Sequence, residues 1–300
     1  MACAAFQYYQ EELTMSAYKI ITDSCADFTS ELYRQLDVTY APLSVLFKGV
    51  LHNNFIDDAD TKALYDGLRE GEMPTTSAAN PDNWMDIMKP VLDQGYDVLC
   101  MAFSSALSTT YQSAVIAANE LSEQYPHRKI RVVDTLSAAL GQGYLIYHAC
   151  MKRDEGMDLD ALTAWVEENK LHVCHWVTVD DLFHLKRGGR VSGATAVVGT
   201  MLNIKPIIHV SDEGKLVNVG KARGRKAALD TLLKKYEELT LDHETVFIAH
   251  GDCLEDAQAL EQVFKEKYGV KKVHIGYVGG VIGAHTGPGV LAIFFMGSKR

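Results

Sequence analysis

The stretch DVLCMAFSSALSTTYQSA, residues 97–114, decides the fold. Asp97 to Phe103 is a short apolar run, the length of a buried strand and too short for a helix, and it stops at Ser104 and Ser105. From Ser108 to Gln124 apolar residues recur at three- and four-residue spacing, which predicts a helix. A strand that ends in hydroxyls and turns into a helix is the repeating unit of an open α/β sheet. Working outward, Tyr18 to Ile21 ends in Thr22-Asp23-Ser24, and Lys129 to Val133 ends in Asp134-Thr135. Between these runs, Phe28 to Leu36, Thr61 to Arg69, Pro81 to Leu92 and Ser137 to Met151 carry helical spacing, with Asn80 and Pro81 forming a start signal. A parallel sheet with helices on both faces follows, and in such sheets ligands bind beyond the carboxyl ends of the strands.

The rhythm changes after the turn signal Arg153-Asp154-Glu155-Gly156 and the helix that follows it. Val173 to Val179, Ile204 to Val210, Leu216 to Lys221, Thr245 to Ala249, Lys272 to Val278 and Val290 to Phe295 read as strands, two of them joined through Ser211-Asp212-Glu213-Gly214. Helices are expected near 180–187, 194–202, 225–239 and 254–267. The expected organisation is an extension over 1–17, an α/β/α domain over 18–170 and a two-layer α/β domain with a mixed sheet over 171–300.

The chain has 300 residues, 47% of them hydrophobic, and a formal charge of −10. That balance disfavours general affinity for nucleic acid or anionic membrane. Lys186 to Lys226 departs from it, with nine basic against two acidic residues, a local +7 that leaves −17 elsewhere and suits one acidic or phosphate-bearing partner. The six cysteines form no C-x-x-C pair, so neither zinc nor redox chemistry is spelled out. The first residues lack the features of a secretory signal, and no apolar run approaches the ~20 residues of a membrane span. The expected compartment is the cytoplasm.

Three constellations could carry chemistry. Pro74-Thr75-Thr76-Ser77 and Ser104 to Tyr111 place hydroxyls where strand ends meet helix starts, a setting for carboxylate or phosphate oxygens, although helix capping also explains such clusters. Ser105 as a nucleophile lacks a G-x-S-x-G elbow, and Cys25 reads as a buried filler. Gly279 to Gly289 surrounds His285 and Thr286 with glycine, as expected of backbone folded tightly about a small polar group. Leu185 to Gly193 is a glycine-rich basic turn that could cradle an anion, but no P-loop or dinucleotide fingerprint is present.

Taken together, TDS at 22–24, PTTS at 74–77, SSALSTTYQSA at 104–114, VVDTLSAALGQG at 132–143, KRGGRVSG at 186–193, LNIKPI at 202–207 and IGAHTGPG at 282–289 resemble the DegV family, from about Tyr18 to the C-terminus. The resemblance implies an N-terminal three-layer α/β/α domain, a C-terminal two-layer domain and a long-chain fatty acid enclosed between them. It further implies a lipid-binding protein without a cofactor, which docks on a separate fatty acid kinase that phosphorylates the bound carboxylate to an acyl phosphate. The family's carboxylate contacts carry over to Thr76, Ser77, Ser104, Ser105, His285 and Thr286, and its partner-facing cations to Arg187, Arg190 and Arg223. The family often has Gln and two Gly where this chain has Ala78, Ala106 and Thr109, and Ala106 would be strained if its backbone needed positive φ. A serine- or cysteine-dependent acyl-ester hydrolase is the alternative reading.

Overall fold

The structure is a computed structural model that describes residues 17–53, 58–180, 182–192 and 203–300. The expected extension, apart from Ala17, and the expected helix at 194–202 lie outside the described residues. The first half runs β1 (Tyr18–Asp23), α1 (Ser30–Gln35), β2 (Val38–Ala41), β3 (Ser44–Phe47), β4 (Val50–Asn53), α2 (Asp58–Arg69), β5 (Thr75–Ser77), α3 (Pro81–Asp93), β6 (Asp97–Ala102), α4 (Thr110–Gln124), β7 (Ile130–Asp134), α5 (Leu140–Asp154) and α6 (Leu159–Asn169). The second half runs β8 (Val173–Thr178), α7 (Phe183–Gly188), β9 (Val191–Ser192), β10 (Ile204–Val210), β11 (Leu216–Arg223), α8 (Arg225–Leu239), β12 (Thr245–His250), α9 (Leu254–Glu266), β13 (Lys272–Tyr277), α10 (Gly280–Thr286) and β14 (Leu291–Met296).

The first sheet is parallel, in the order β2-β1-β6-β7. Strand β6 is buried at every position, as a central strand covered on both faces must be. Ile21, Val98 and Cys100 pack toward α3 and α4, whereas Ile20, Leu99 and Met101 pack toward α5. Because the chain leaves β1 toward β2 on one side and reaches β6 on the other, the carboxyl ends of β1 and β6 flank a switch point. That edge is where Ser24 and Ser104 emerge.

The second sheet is mixed, in the order β13-β12-β14-β8-β10-β11-β9. Its outer face packs on α8 and α9 through Ile248, Ile293 and Phe295. Its inner face meets α5, which is buried continuously from Leu140 to Ile146. A helix apolar nearly all round belongs between two layers. Gln142 on α5 donates to Thr22 Oγ1 of the first sheet at 2.9 Å, and Tyr144 donates to the Thr245 carbonyl of the second at 3.3 Å.

Several boundaries differ from the sequence reading. Helix α5 starts at Leu140 and not Ser137, because Leu136 and Ala139 take φ of 50° and 54°, which no right-handed helix accommodates. Strands β2, β3, β4 and β5 were not anticipated, since segments of three or four residues show too little alternation to register. The last three form a separate sheet in the order β4-β3-β5. Asn80 does cap α3, accepting from Asn83 N at 2.9 Å while Asn83 Oδ1 accepts from Asn80 N at 3.0 Å. Among the described residues no helix is long and apolar enough to cross a membrane.

Candidate functional site

The glycine-dense stretch, expected as backbone folded tightly about a small polar group, forms the short helix α10 against the low helix propensity of glycine. Packing wins: Tyr65 from α2 donates its hydroxyl to the Val278 carbonyl at 2.8 Å and lies so close to Gly283 that a Cβ there would sit 2.6 Å from the hydroxyl oxygen. Helix α10 delivers His285 beside β5, where Nε2 and Thr76 Oγ1 share a hydrogen bond of 2.8 Å. On its other side the imidazole meets the basic turn. A Cβ at Gly188 would stand 2.3 Å from His285 Nδ1, so only glycine permits this approach.

Burial, and then the charges of Arg190 and Arg187, push the His285 imidazole down to about 4. At neutral pH it is therefore uncharged, with one nitrogen to donate and one to accept. Arg187 donates to the Ala284 carbonyl at 3.1 Å, and Arg190 to the Leu107 carbonyl at 3.4 Å. The two arginines thus brace the backbone on either side of the histidine.

Thr76, Arg190 and His285 stand on the wall of a cavity of 490 Å³, within the ~300–1,000 Å³ range of ligand pockets. Thr76, Ser77, Ser105, Arg190, His285 and Thr286 all line it, with Ser108 and Thr109 beside them. The remaining wall is mostly apolar and includes Leu43, Phe103, Val177, Val281, Ala292 and Phe294. The cavity can take a ligand with a small polar head and a long apolar body.

One of the carboxylate candidates from the sequence is placed elsewhere. Ser104 is fully buried; its hydroxyl donates to the Gly214 carbonyl at 2.8 Å and accepts from Ala106 N at 3.3 Å, tying the β10–β11 turn to the strand end. It is not among the cavity-lining residues, and neither are Arg187 and Arg223. Arg223 is exposed at the end of β11. Ala106 needs no left-handed backbone, nor does Thr109 at φ −79°, so the loop accommodates both without strain.

The TDS motif acts beneath the cavity. Asp23 accepts from Phe103 N at 2.7 Å, Cys25 N at 3.0 Å and Gln142 Nε2 at 3.3 Å, fixing the backbone from which Ser105 projects. Burial raises its carboxyl to about 6 against these hydrogen bonds. Burial likewise raises the Cys25 thiol well above its ordinary value, which disfavours a thiolate. Ser105 N donates to Asp134 Oδ1 at 3.1 Å, while the nearby imidazole is engaged with Thr76. Sequence reasoning missed His175 on the cavity wall; a lone imidazole within the buried run VCHWVT is the signal that could have found it.

The architecture and cavity define an α/β protein of two large sheets and one small one, with a mostly apolar cavity whose wall also carries hydroxyls, an arginine and imidazoles. Residues 17–298 match the family model described as "Uncharacterised protein, DegV family". A DegV domain-containing protein of Clostridium perfringens is 44% identical over 292 residues, which span 95% of this chain and 99% of the relative. The chain belongs to the DegV family. Among solved structures, a DegV family protein from Thermus thermophilus, described by its fatty acid binding, superposes with a TM-score of 0.83 at 31% identity over 93% of this chain and 98% of that one. DegV of Bacillus subtilis, described as a fatty acid binding protein, superposes with a TM-score of 0.79 at 28% identity over 93% of this chain and 98% of that one.

Proposed function

We propose that this protein binds one long-chain fatty acid in the cavity and presents its carboxylate, in the cytoplasm, to a separate fatty acid kinase that converts it to an acyl phosphate. The observation that carries the reading is the hydrogen-bonded Thr76–His285 pair on the wall of a mostly apolar cavity. An acyl chain gains roughly 0.8 kcal/mol per buried CH₂, so the apolar wall supplies most of the affinity. The carboxylate, once out of water, needs donors. Thr76, Ser105 and a neutral His285 offer them, with Ser77 and Thr286 beside them and Arg190 adding a cation at the rim. The solved DegV relatives described as fatty acid binding support the lipid class.

In this reading Arg187 and Arg190 brace the head group turn, and the exposed Arg223 meets the kinase. The division of the chain near residue 170 is proposed on the change of sheet type there, with α5 covering both sheets.

The test is to purify the protein from its own host, identify the co-purifying lipid by native mass spectrometry, and add a fatty acid kinase with ATP. Acyl phosphate formed only when loaded protein and kinase are both present is the expected result. Release of free acid from an acyl ester by this protein alone would overturn it in favour of a hydrolase.

A further inference from the structure

Arg300 follows β14, is half-buried and is not among the cavity-lining residues. Its hydrogen bonds all go to uncharged oxygens. Nε donates to the Val173 carbonyl at 3.2 Å, Nη1 to the carbonyls of Leu136 at 2.7 Å and Ser211 at 3.2 Å, and Nη2 to the Lys170 carbonyl at 2.6 Å and Ser137 Oγ at 3.0 Å. Burial, opposed first by the charge of Asp212, lowers the guanidinium to about 10, so it stays charged at neutral pH. A cation drawn out of water is costly unless its donors are met, and here acceptors surround the whole planar fork.

These acceptors tie the two halves of the molecule together. Leu136 and Ser137 lie between β7 and α5 of the first half, Val173 and Ser211 belong to β8 and the β10–β11 turn of the second, and Lys170 stands where the halves meet. Two of the gripped segments also hold Ser104. Ser104 N donates to the Ser137 carbonyl at 3.1 Å, and Ser104 Oγ to the Gly214 carbonyl at 2.8 Å. Gly214 N donates in turn to the Ser211 carbonyl at 2.8 Å, the same oxygen that accepts from Arg300. Strand end, loop and turn meet closely: a Cβ at Gly214 would stand 2.2 Å from Ser104 Oγ and 3.1 Å from Leu136 Cα.

The loop is held in an unfavourable shape. Leu136 has a φ of 50°, which costs energy in a bulky residue and persists only where the surroundings impose it. Asp134 Oδ1 accepts from Leu136 N and from Ser105 N, each at 3.1 Å, and Arg300 grips the Leu136 carbonyl. Ser105 follows Ser104 and lines the cavity. Its backbone is therefore held by a loop and a turn that Arg300 fastens to each other.

We propose that Arg300 is a positioning residue for the head group site: by fastening the 134–137 loop to the 211–214 turn, it sets where Ser105 meets the ligand carboxylate. The inference rests on the reading of the cavity as a fatty acid site with Ser105 among its head group donors. It assigns a residue that acts through Ser105 and not by contact with the ligand.

The experiment is a double-mutant cycle between Arg300→Lys and Ser105→Ala, read as the affinity of the delipidated full chain for hexadecanoic and dodecanoic acid by calorimetry. Lysine keeps the charge and loses the fork. With Ser105 present, Arg300→Lys should weaken both acids about tenfold, equally at the two lengths. In the Ser105→Ala background it should add no more than about a twofold loss, because the group it positions is gone. Ser137→Ala removes a single acceptor and should give the same pattern at about threefold, which decides the matter if Arg300→Lys does not fold. Equal losses in the two backgrounds, or no loss with Ser105 present, would overturn the assignment. Failure of the unaltered protein to bind either acid would instead overturn the fatty acid reading.

Discussion

Two parts of the cavity wall are built by opposite means. Around Thr76 and His285, short pieces converge: three-residue β5, the turn before α4, and α7 and α10 with their glycines. Polar groups there hold one another, as Thr76 holds His285 and Arg187 holds the Ala284 carbonyl. Elsewhere on the wall, β8 and β14 present buried side chains from regular strands, and the ring of His175 interrupts the apolar surface. On the proposed reading, hydrogen bonds at the first set the orientation of a ligand, and apolar contact at the second supplies most of its affinity.

The sharpest way to break that contrast is to fill the apolar part. Ala292→Phe should shorten the apolar space by several methylenes and weaken binding of a long acyl chain roughly 100-fold, while shorter acids lose less. Affinities across a chain-length series check this; equal losses at all lengths would place Ala292 off the path of the tail.

An effect of similar size is expected from acid. The unfolded chain protonates His285 near 6.5, whereas the folded protein resists until about 4. The unfolded state thus binds more protons in that window, so this residue removes stability as pH falls through it, by roughly 3 kcal/mol at full extent. Asp23, raised to about 6, contributes with the opposite sign. The informative quantity is therefore the difference between wild type and His285→Asn in denaturant unfolding from pH 7 to pH 4. That difference should shift in favour of the variant as pH falls, and a constant difference would contradict a neutral, buried imidazole.

At neutral pH, His285→Ala should weaken fatty acid binding by about 1–3 kcal/mol through the head group alone, so the loss should be the same for short and long acids. The same chain-length series reads it. Thr76→Ala and Ser105→Ala should be non-additive by about 0.5 kcal/mol or more if both serve one carboxylate. Strict additivity in a double-mutant cycle would separate them. The smallest change in lipid affinity is expected for Arg223→Glu, exposed on β11, which should leave the fatty acid bound and slow association with a kinase, less so as salt rises.

Much of this division was legible in the residues. Except for β2 and β9, the strands of both large sheets announced themselves as apolar runs, and β10 runs from Ile204 to Val210 as read. His285 and Thr76, far apart in sequence, were each singled out by local chemistry, and the structure brings them to hydrogen-bonding distance. What stayed hidden depended on tertiary contact. Strand β5 has only three residues and exists because β3 pairs with it. Helix α10 forms against its propensity because Tyr65 fits over Gly283. Ser104 and Ser105 are chemically alike, and only the fold could decide that one ties the Gly214 turn while its neighbour lines the cavity.

The place of β14 in the second sheet bears on how the protein is made. It lies between β12 and β8, so the last strand in sequence is a central one. During synthesis at ~5–20 residues per second, the facing edges of β8 and β12 stay unpaired until residues 291–296 emerge. Val290, Ala292 and Phe294 are also part of the cavity wall, so the cavity is incomplete before that moment. A nascent chain stalled short of β14 would thus present two apolar strand edges and no closed compartment, a substrate for chaperones.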